Sequence, residues 1–267
     1  MVVGGPRTLH SAFGHGHPAL VAYLMAGFPD RAGSAAGIVA AARAGADLIE
    51  LGVPYADPLA DGPTIVDAAD VARSAPGGFG LAETLGLALE LTAAEESPPI
   101  ALMTYLNPML SYGFPRLAAD AVAAGVGGFI VPDMPPDSPM ASRWLDASRP
   151  LGLETVFLVA PTSTPERIRA VTAASEGFVY VVSSVGVTGE RGRLPDSLPD
   201  LVERVRAAAP PGLPVAVGFG VSTPEQAAAI AAIADGVIVG SAIVKRQRDA
   251  AEVSAFVAGL ATAVHDG

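Results

Sequence analysis

Cysteine is absent from all 267 residues, which excludes disulfides, a thiolate nucleophile and any Cys-ligated metal. Positive charge is scarce: 16 Lys and Arg against 27 Asp and Glu leave a net charge of −11. Binding to nucleic acid needs a basic face, so that class of partner is disfavoured. A small anionic substrate would be repelled at long range, so any phosphate site must be built locally. No run of about 20 uninterrupted apolar residues exists, and no membrane-spanning helix is expected. The opening stretch "MVVGGPRTLHSAFGHGHPAL" has one Arg and no long apolar run, so it does not read as a signal peptide. These absences make a cytoplasmic protein the expectation.

What the chain has is hydrophobic residues, at 51% of the total, and a recurring pattern. Eight short apolar runs, each bounded by Gly, Pro or Asp, cover 20–27, 47–53, 100–105, 128–133, 154–160, 178–184, 215–220 and 236–242. Ala-rich amphipathic stretches such as 35–46 and 223–234 lie between them and read as helices. "STPE" at 222–225 and "STPERI" at 163–168 carry a capping hydroxyl, an early Pro and a first-turn Glu, which together mark helix starts. Near-continuous apolar strands alternating with helices predict a parallel sheet covered by helices. Eight such units in a chain of this length predict one domain over 1–267, a closed (β/α)8 barrel, since such barrels typically take ~250 residues. Residues 1–18 form a Gly-rich leader with room for a short helix. The second and sixth units are longer than the rest, and we ascribe this to extended loops after strands two and six, "PYADPLADGPTI" and "SVGVTGERGRLPDSL". Both fall on the face where barrel enzymes keep their active sites.

Glu50 interrupts the apolar run "LIELG" near the end of strand two. It is either a part-buried carboxylate tied to backbone amides or a proton-transfer group whose pKa is tuned by a dry barrel mouth. Asp57 and Asp61 follow on a proline-stiffened loop, where Asp-Pro and Asp-Gly pairs also serve ordinary turns. The loop runs into the next helix at "ADGPT", which directs Asp61 back over the mouth. "VGFG" (217–220) and "VGSA" (239–242) end strands seven and eight, where barrels often hold phosphate on backbone N–H groups. "GVTGERG" (186–192) reads as a lid or as a plain loop. Tyr23, Tyr105 and Tyr180 fall in or at the ends of strands and could line a flat apolar slot. "HGH" (15–17) has no acids beside it in the sequence and is not read as a metal site; His10 and His265 read as solvated near the termini. Trp144 reads as packing.

"DLIELGVPYADPLADGPTI" (47–65), "VSSVGVTGERG" (182–192), "VGFGVSTPEQ" (217–226) and "GSAIVK" (240–245), in this order, resemble the tryptophan synthase alpha subunit family. The resemblance runs from about Ala19 to the C-terminus. It implies a TIM barrel that cleaves indole-3-glycerol phosphate to indole and glyceraldehyde 3-phosphate. It implies no metal or organic cofactor in this subunit, and a pyridoxal-phosphate beta subunit as partner in an alpha2beta2 heterotetramer. By the same resemblance Glu50 matches the catalytic acid/base, and Asp61 the aspartate that hydrogen-bonds the indole N–H. Tyr105 and Tyr180 match aromatics beside the indole and the reacting carbon, with Tyr23 a further substrate neighbour. Thr188 matches the lid threonine. Gly189, Phe219, Gly220, Gly240 and Ser241 match phosphate-binding positions, and Asp57 a residue that signals to the beta subunit. Val185, Met25 and Phe28 depart from the common pattern, and bear on the lid and the first strand's end. A stand-alone lyase releasing free indole, a non-catalytic regulatory barrel and a sugar-phosphate isomerase remain as alternatives.

Overall fold

The computed structural model describes residues 7–59, 61–93, 97–183, 194–218 and 220–266. Thr188, Gly189, Val185 and the rest of 184–193, together with Phe219, lie outside them.

Nine strands form one sheet: β1 (Ala19–Met25), β2 (Leu48–Gly52), β3 (Ile100–Met103), β4 (Gly128–Ile130), β5 (Glu154–Val156), β6 (Leu158–Val159), β7 (Val179–Val182), β8 (Val215–Gly218) and β9 (Gly236–Val239). Their order is β5-β4-β3-β2-β1-β9-β8-β7-β6, and the neighbouring pairs are parallel. The two edges of the sheet, β5 and β6, are halves of one run broken at Phe157. The Phe157 carbonyl still accepts from Tyr180 N–H at 3.2 Å, so the sheet curls into a nearly closed eight-unit barrel. The apolar run 154–160 is therefore a strand in two pieces, not one continuous strand.

Helices follow each strand and cover the outside. The expected caps form: Thr164 accepts from Arg167 N–H and Thr223 from Gln226 N–H, each with Pro at the first helical position. The extra length of the second unit is only partly loop; it also holds two helices, Pro63–Ser74 and Leu81–Thr92. The leader supplies a short 3₁₀ helix, Leu9–Phe13, whose Leu9 and Ala12 are buried.

Strand alternation splits the core in two. Leu20, Ala22, Leu24, Ile49 and Leu51 face outward to the helices. Val21, Tyr23, Met25, Leu48, Ala101, Met103, Tyr180, Ala216 and Ile238 face the barrel interior. Glu50, two residues past Leu48 and in register with Tyr23, shares the inward row. Trp144 packs edge-on against Phe114 and Phe129 and donates Nε1–H to Thr155 Oγ1 at 3.0 Å, as a core residue should.

The end of β1 is held by a side chain far away in sequence. Buried Gln247 accepts from Met25 N–H at 2.9 Å and donates to the Met25 and Phe28 carbonyls at 2.7 and 2.8 Å. Removing it leaves three buried backbone groups without this partner. Gln247→Leu should lower unfolding free energy by roughly 2–4 kcal/mol in urea titrations; a change near zero would mean that water substitutes for the amide.

Candidate active site

Two glycines make room for the tyrosines at the barrel mouth. A Cβ on Gly52, the last residue of β2, would lie 2.1 Å from the Tyr23 hydroxyl; one on Gly218, the last of β8, would lie 2.3 Å from the Tyr180 hydroxyl. Each phenol therefore reaches over a strand end that has no side chain. Gly240 sits against the Tyr23 ring, where a Cβ would make ordinary contact at 3.7 Å. Tyr105 is not a strand residue: β3 stops at Met103, and Tyr105 caps the helix Leu106–Tyr112. Its ring packs on Tyr55 at 5.4 Å between centroids, and Asn107 Nδ2–H donates to the Tyr55 hydroxyl at 3.1 Å. All three expected tyrosines are buried.

Glu50 lies among them, 1% exposed, and neither carboxyl oxygen has a hydrogen-bond partner among the described residues. The reading of Glu50 as a carboxylate tied to backbone amides is thereby excluded. Burial first, and the facing Asp61 second, push its carboxyl up to about 8. Asp61 is turned inward on its loop and is also raised by burial, to about 6. A hydrogen bond with Tyr105 pulls it the other way. Burial also lifts the Tyr23 and Tyr180 phenols well above the usual range, and both carboxylates add to it. At neutral pH the site thus carries a protonated glutamic acid opposite an aspartate that is largely ionised. The environments of the two acids thus separate their charge states near neutral pH.

Of the remaining expected positions, Asp57 is exposed on the same loop, away from the buried pair, beside Leu59 at 77% exposure. Gly220 follows β8 with φ +80°, a conformation open to glycine. Ser241 opens the short helix Ser241–Val244 after β9. The sequence reading missed Gly52 and Gly218, although a glycine ending an inward-facing row beside a tyrosine-bearing strand is a usable signal. It also missed Tyr55, on a loop with no periodicity to read, and Asn107, in the first turn of the helix Leu106–Tyr112. His265 is not solvated as expected: it pairs with Asp47 at 2.9 Å.

A parallel α/β barrel with two facing acids and three tyrosines at the C-terminal ends of its strands has the architecture of a barrel enzyme, whose active site lies at that face. Residues 10–264 match the family model described as tryptophan synthase alpha chain. The chain is 46% identical to the tryptophan synthase alpha chain of Mycobacterium avium (strain 104) over 231 residues, 86% of this chain and 82% of that protein. It is 48% identical to the alpha chain of Mycobacterium tuberculosis (strain H37Rv), covering 85% and 81%. Superposition on a chain of M. tuberculosis tryptophan synthase gives a TM-score of 0.89 at 42% identity, covering 97% of this chain and 98% of that one. A mutant alpha-subunit from Pyrococcus furiosus gives 0.81 at 36%, covering 91% and 98%. The chain belongs to the tryptophan synthase alpha chain family, the lyase subunit of tryptophan biosynthesis.

The raised Glu50 pKa has a consequence for stability. Unfolded, this carboxyl titrates near 4.5; folded, near 8. Between those pH values the folded state binds the proton more tightly, so stability falls as pH rises through the window, by on the order of a few kcal/mol. Glu50→Gln removes that slope. The stability advantage of the variant, measured by urea unfolding at a series of pH values, should grow from pH 5 to 8 and then level off. An advantage independent of pH would contradict the assignment.

Proposed function

We propose that the chain cleaves indole-3-glycerol phosphate to indole and glyceraldehyde 3-phosphate, with Glu50 as acid and base and Asp61 as the charge that steadies the ring. The observation carrying this reading is the buried, unpartnered Glu50 carboxyl facing Asp61 within a cluster of tyrosines. Breaking the bond between indole C3 and the carbinol carbon requires a proton at C3. Protonated Glu50 supplies it, and the ring becomes an indoleninium cation. Asp61 accepts the ring N–H as a hydrogen-bond donor and opposes the positive charge there. The carbinol hydroxyl then gives its proton to the Glu50 carboxylate as the C–C bond breaks, its electrons return to the ring, and the aldehyde forms. Glu50 ends as it began, so no external acid or base is consumed. Each proton transfer is worth typically ~10²–10⁴ in rate.

Tyr23, Tyr105 and Tyr180 supply the apolar walls, with Thr188 at the lid. The phosphate is placed on the strand ends across the mouth, at Gly220, Gly240 and Ser241, with Phe219 and Gly189 completing the set by family likeness. The position of Gly240 beside the Tyr23 ring supports a phosphate grip adjoining the aromatic slot. None of these steps uses a metal or an organic cofactor of this subunit. A beta subunit carrying pyridoxal phosphate is the proposed partner, in an alpha2beta2 assembly. Exposed Leu59 and Asp57 on the loop that carries Asp61 support a partner-facing role for that loop. No helix among the described residues is long and apolar enough to cross a membrane, and a cytoplasmic location is proposed with it.

Glu50→Gln should abolish indole release from indole-3-glycerol phosphate while phosphate affinity persists; turnover near the parent level would refute the role. Asp61→Asn should lose activity severely but less completely, since the amide oxygen still accepts from the ring N–H without matching its charge. The log of kcat/KM against pH should be bell-shaped, with macroscopic limbs near 6 and 8 that belong to the pair. The upper limb reports loss of the proton that the pair retains at neutral pH. A profile flat through pH 8 would mean that Glu50 is not the donor.

A further inference from the structure

Three residues distant in sequence meet at the opposite, N-terminal end of the barrel. His17 stands two residues before β1, Asp47 immediately before β2, and His265 ends the C-terminal helix Ala250–His265. The Asp47, His17 and His265 ligand atoms all lie within 4.8 Å of one another, and each of the three side chains is partly buried. The His17 and His265 rings are 4.0 Å apart between centroids, and His15 stacks on His17 at 5.9 Å.

We propose that His17, Asp47 and His265 bind a divalent transition-metal ion of the zinc class. Two imidazoles and one carboxylate are a borderline-soft donor set suited to Zn²⁺, which takes N and O ligands at about 2.0–2.2 Å. A tetrahedral ion with such bonds spaces its ligand atoms roughly 3.4 Å apart, so small side-chain rotations from the present spacing suffice. The outer contacts also fit. His17 Nδ1 lies 3.0 Å from the Pro18 carbonyl oxygen; with the proton on Nδ1 the ring donates there and Nε2 becomes the coordinating nitrogen. Asp47 Oδ2 accepts the Leu20 N–H at 2.8 Å, which fixes the carboxylate on the barrel rim. Its contact to His265 Nε2 at 2.9 Å is the one an entering ion replaces. Gly45, whose Cβ would come within 2.8 Å of Ala261, lets the last helix close on this corner. Exposed His15 or solvent completes the sphere. The ion would tie the leader, the entry to β2 and the chain's last helix together. The length of β1 from Ala19 to Met25, about 20 Å at 3.3 Å per residue, separates this corner from the catalytic mouth. The site therefore serves stability and takes no part in the lyase reaction.

The test uses the full, untagged chain stripped with a chelator and titrated with ZnCl₂ against a competing zinc indicator. One ion should bind per chain. His17→Ala and His265→Ala should each weaken binding at least tenfold, and so should Asp47→Asn, which keeps an acceptor for Leu20 N–H and so spares the fold. Zinc at a hundredfold excess over Kd should raise the parent Tm by roughly 5 °C and leave the His17→Ala/His265→Ala variant unmoved. Indole release should be the same with and without the ion. No stoichiometric binding by the parent chain, or binding undiminished in the double variant, would overturn the proposal. So would loss of turnover on chelation.

Discussion

A carboxyl group without hydrogen-bond partners, buried in an otherwise apolar row, is the constraint around which the barrel mouth is organised. An ionised Glu50 in that position would be strongly disfavoured, and the protein meets the difficulty by keeping it protonated. Burial is the main reason the proton stays, and Asp61 adds to it: a second carboxylate facing the first makes the doubly ionised state worse still. Asp61 can carry the charge because Tyr105 hydrogen-bonds to it, and Tyr105 is itself packed against Tyr55, which Asn107 holds by its hydroxyl. The order of the two pKa values therefore follows from the deeper burial of Glu50 and from the partner that Asp61 has. That order makes Glu50 the group that can both give and take a proton near neutral pH.

The same constraint explains the glycines. A tyrosine on β1 and another on β7 must reach the level of Glu50 without pushing the neighbouring strands apart. Gly52 and Gly218, each on a strand beside the tyrosine it accommodates, leave that space. Gln247 performs the corresponding service for the backbone at the end of β1, where the chain turns out of the sheet and its amide and carbonyls would otherwise be buried without partners. Packing in the mouth is thus as closely determined as packing in the core, although it serves orientation more than stability.

Most of this was legible in order along the chain. Apolar runs bounded by glycine and proline gave the strands, the Ser/Thr-Pro-Glu pairs gave two helix starts, and an acid interrupting an apolar run singled out Glu50. The information that failed to appear was of two kinds. Local geometry within a run, such as the break at Phe157 or the end of β3 before Tyr105, depends on barrel curvature that one strand's residues do not encode. Long-range pairings, such as Asp47 with His265 or Gln247 with Met25, join residues more than two hundred positions apart, and neither partner has an unusual neighbourhood of its own. A lone histidine near a terminus looks solvated until the fold brings a carboxylate to it. The second unit misled in a different way: its length was correct, but a second helix took up part of what was assigned to a loop.

Net charge bears on how such a site admits its ligand. The chain carries a charge of −11, and the proposed substrate is itself an anion. A mouth containing two ionised carboxylates would add a strong local repulsion to the weak, salt-screened repulsion of the whole surface. With Glu50 protonated, only one of the two acids is charged, and that one lies at the aromatic end of the slot. The phosphate is proposed to sit at the glycine-lined ends of β8 and β9, where neutral main-chain amides attract it at short range without changing the protein's overall charge. Under the proposed function a neutral Glu50 serves twice, once to store the proton the reaction uses and once to let the anion approach. A glutamate held ionised by a salt bridge would hold no proton to give, whereas the apolar row around Glu50 keeps its carboxyl protonated.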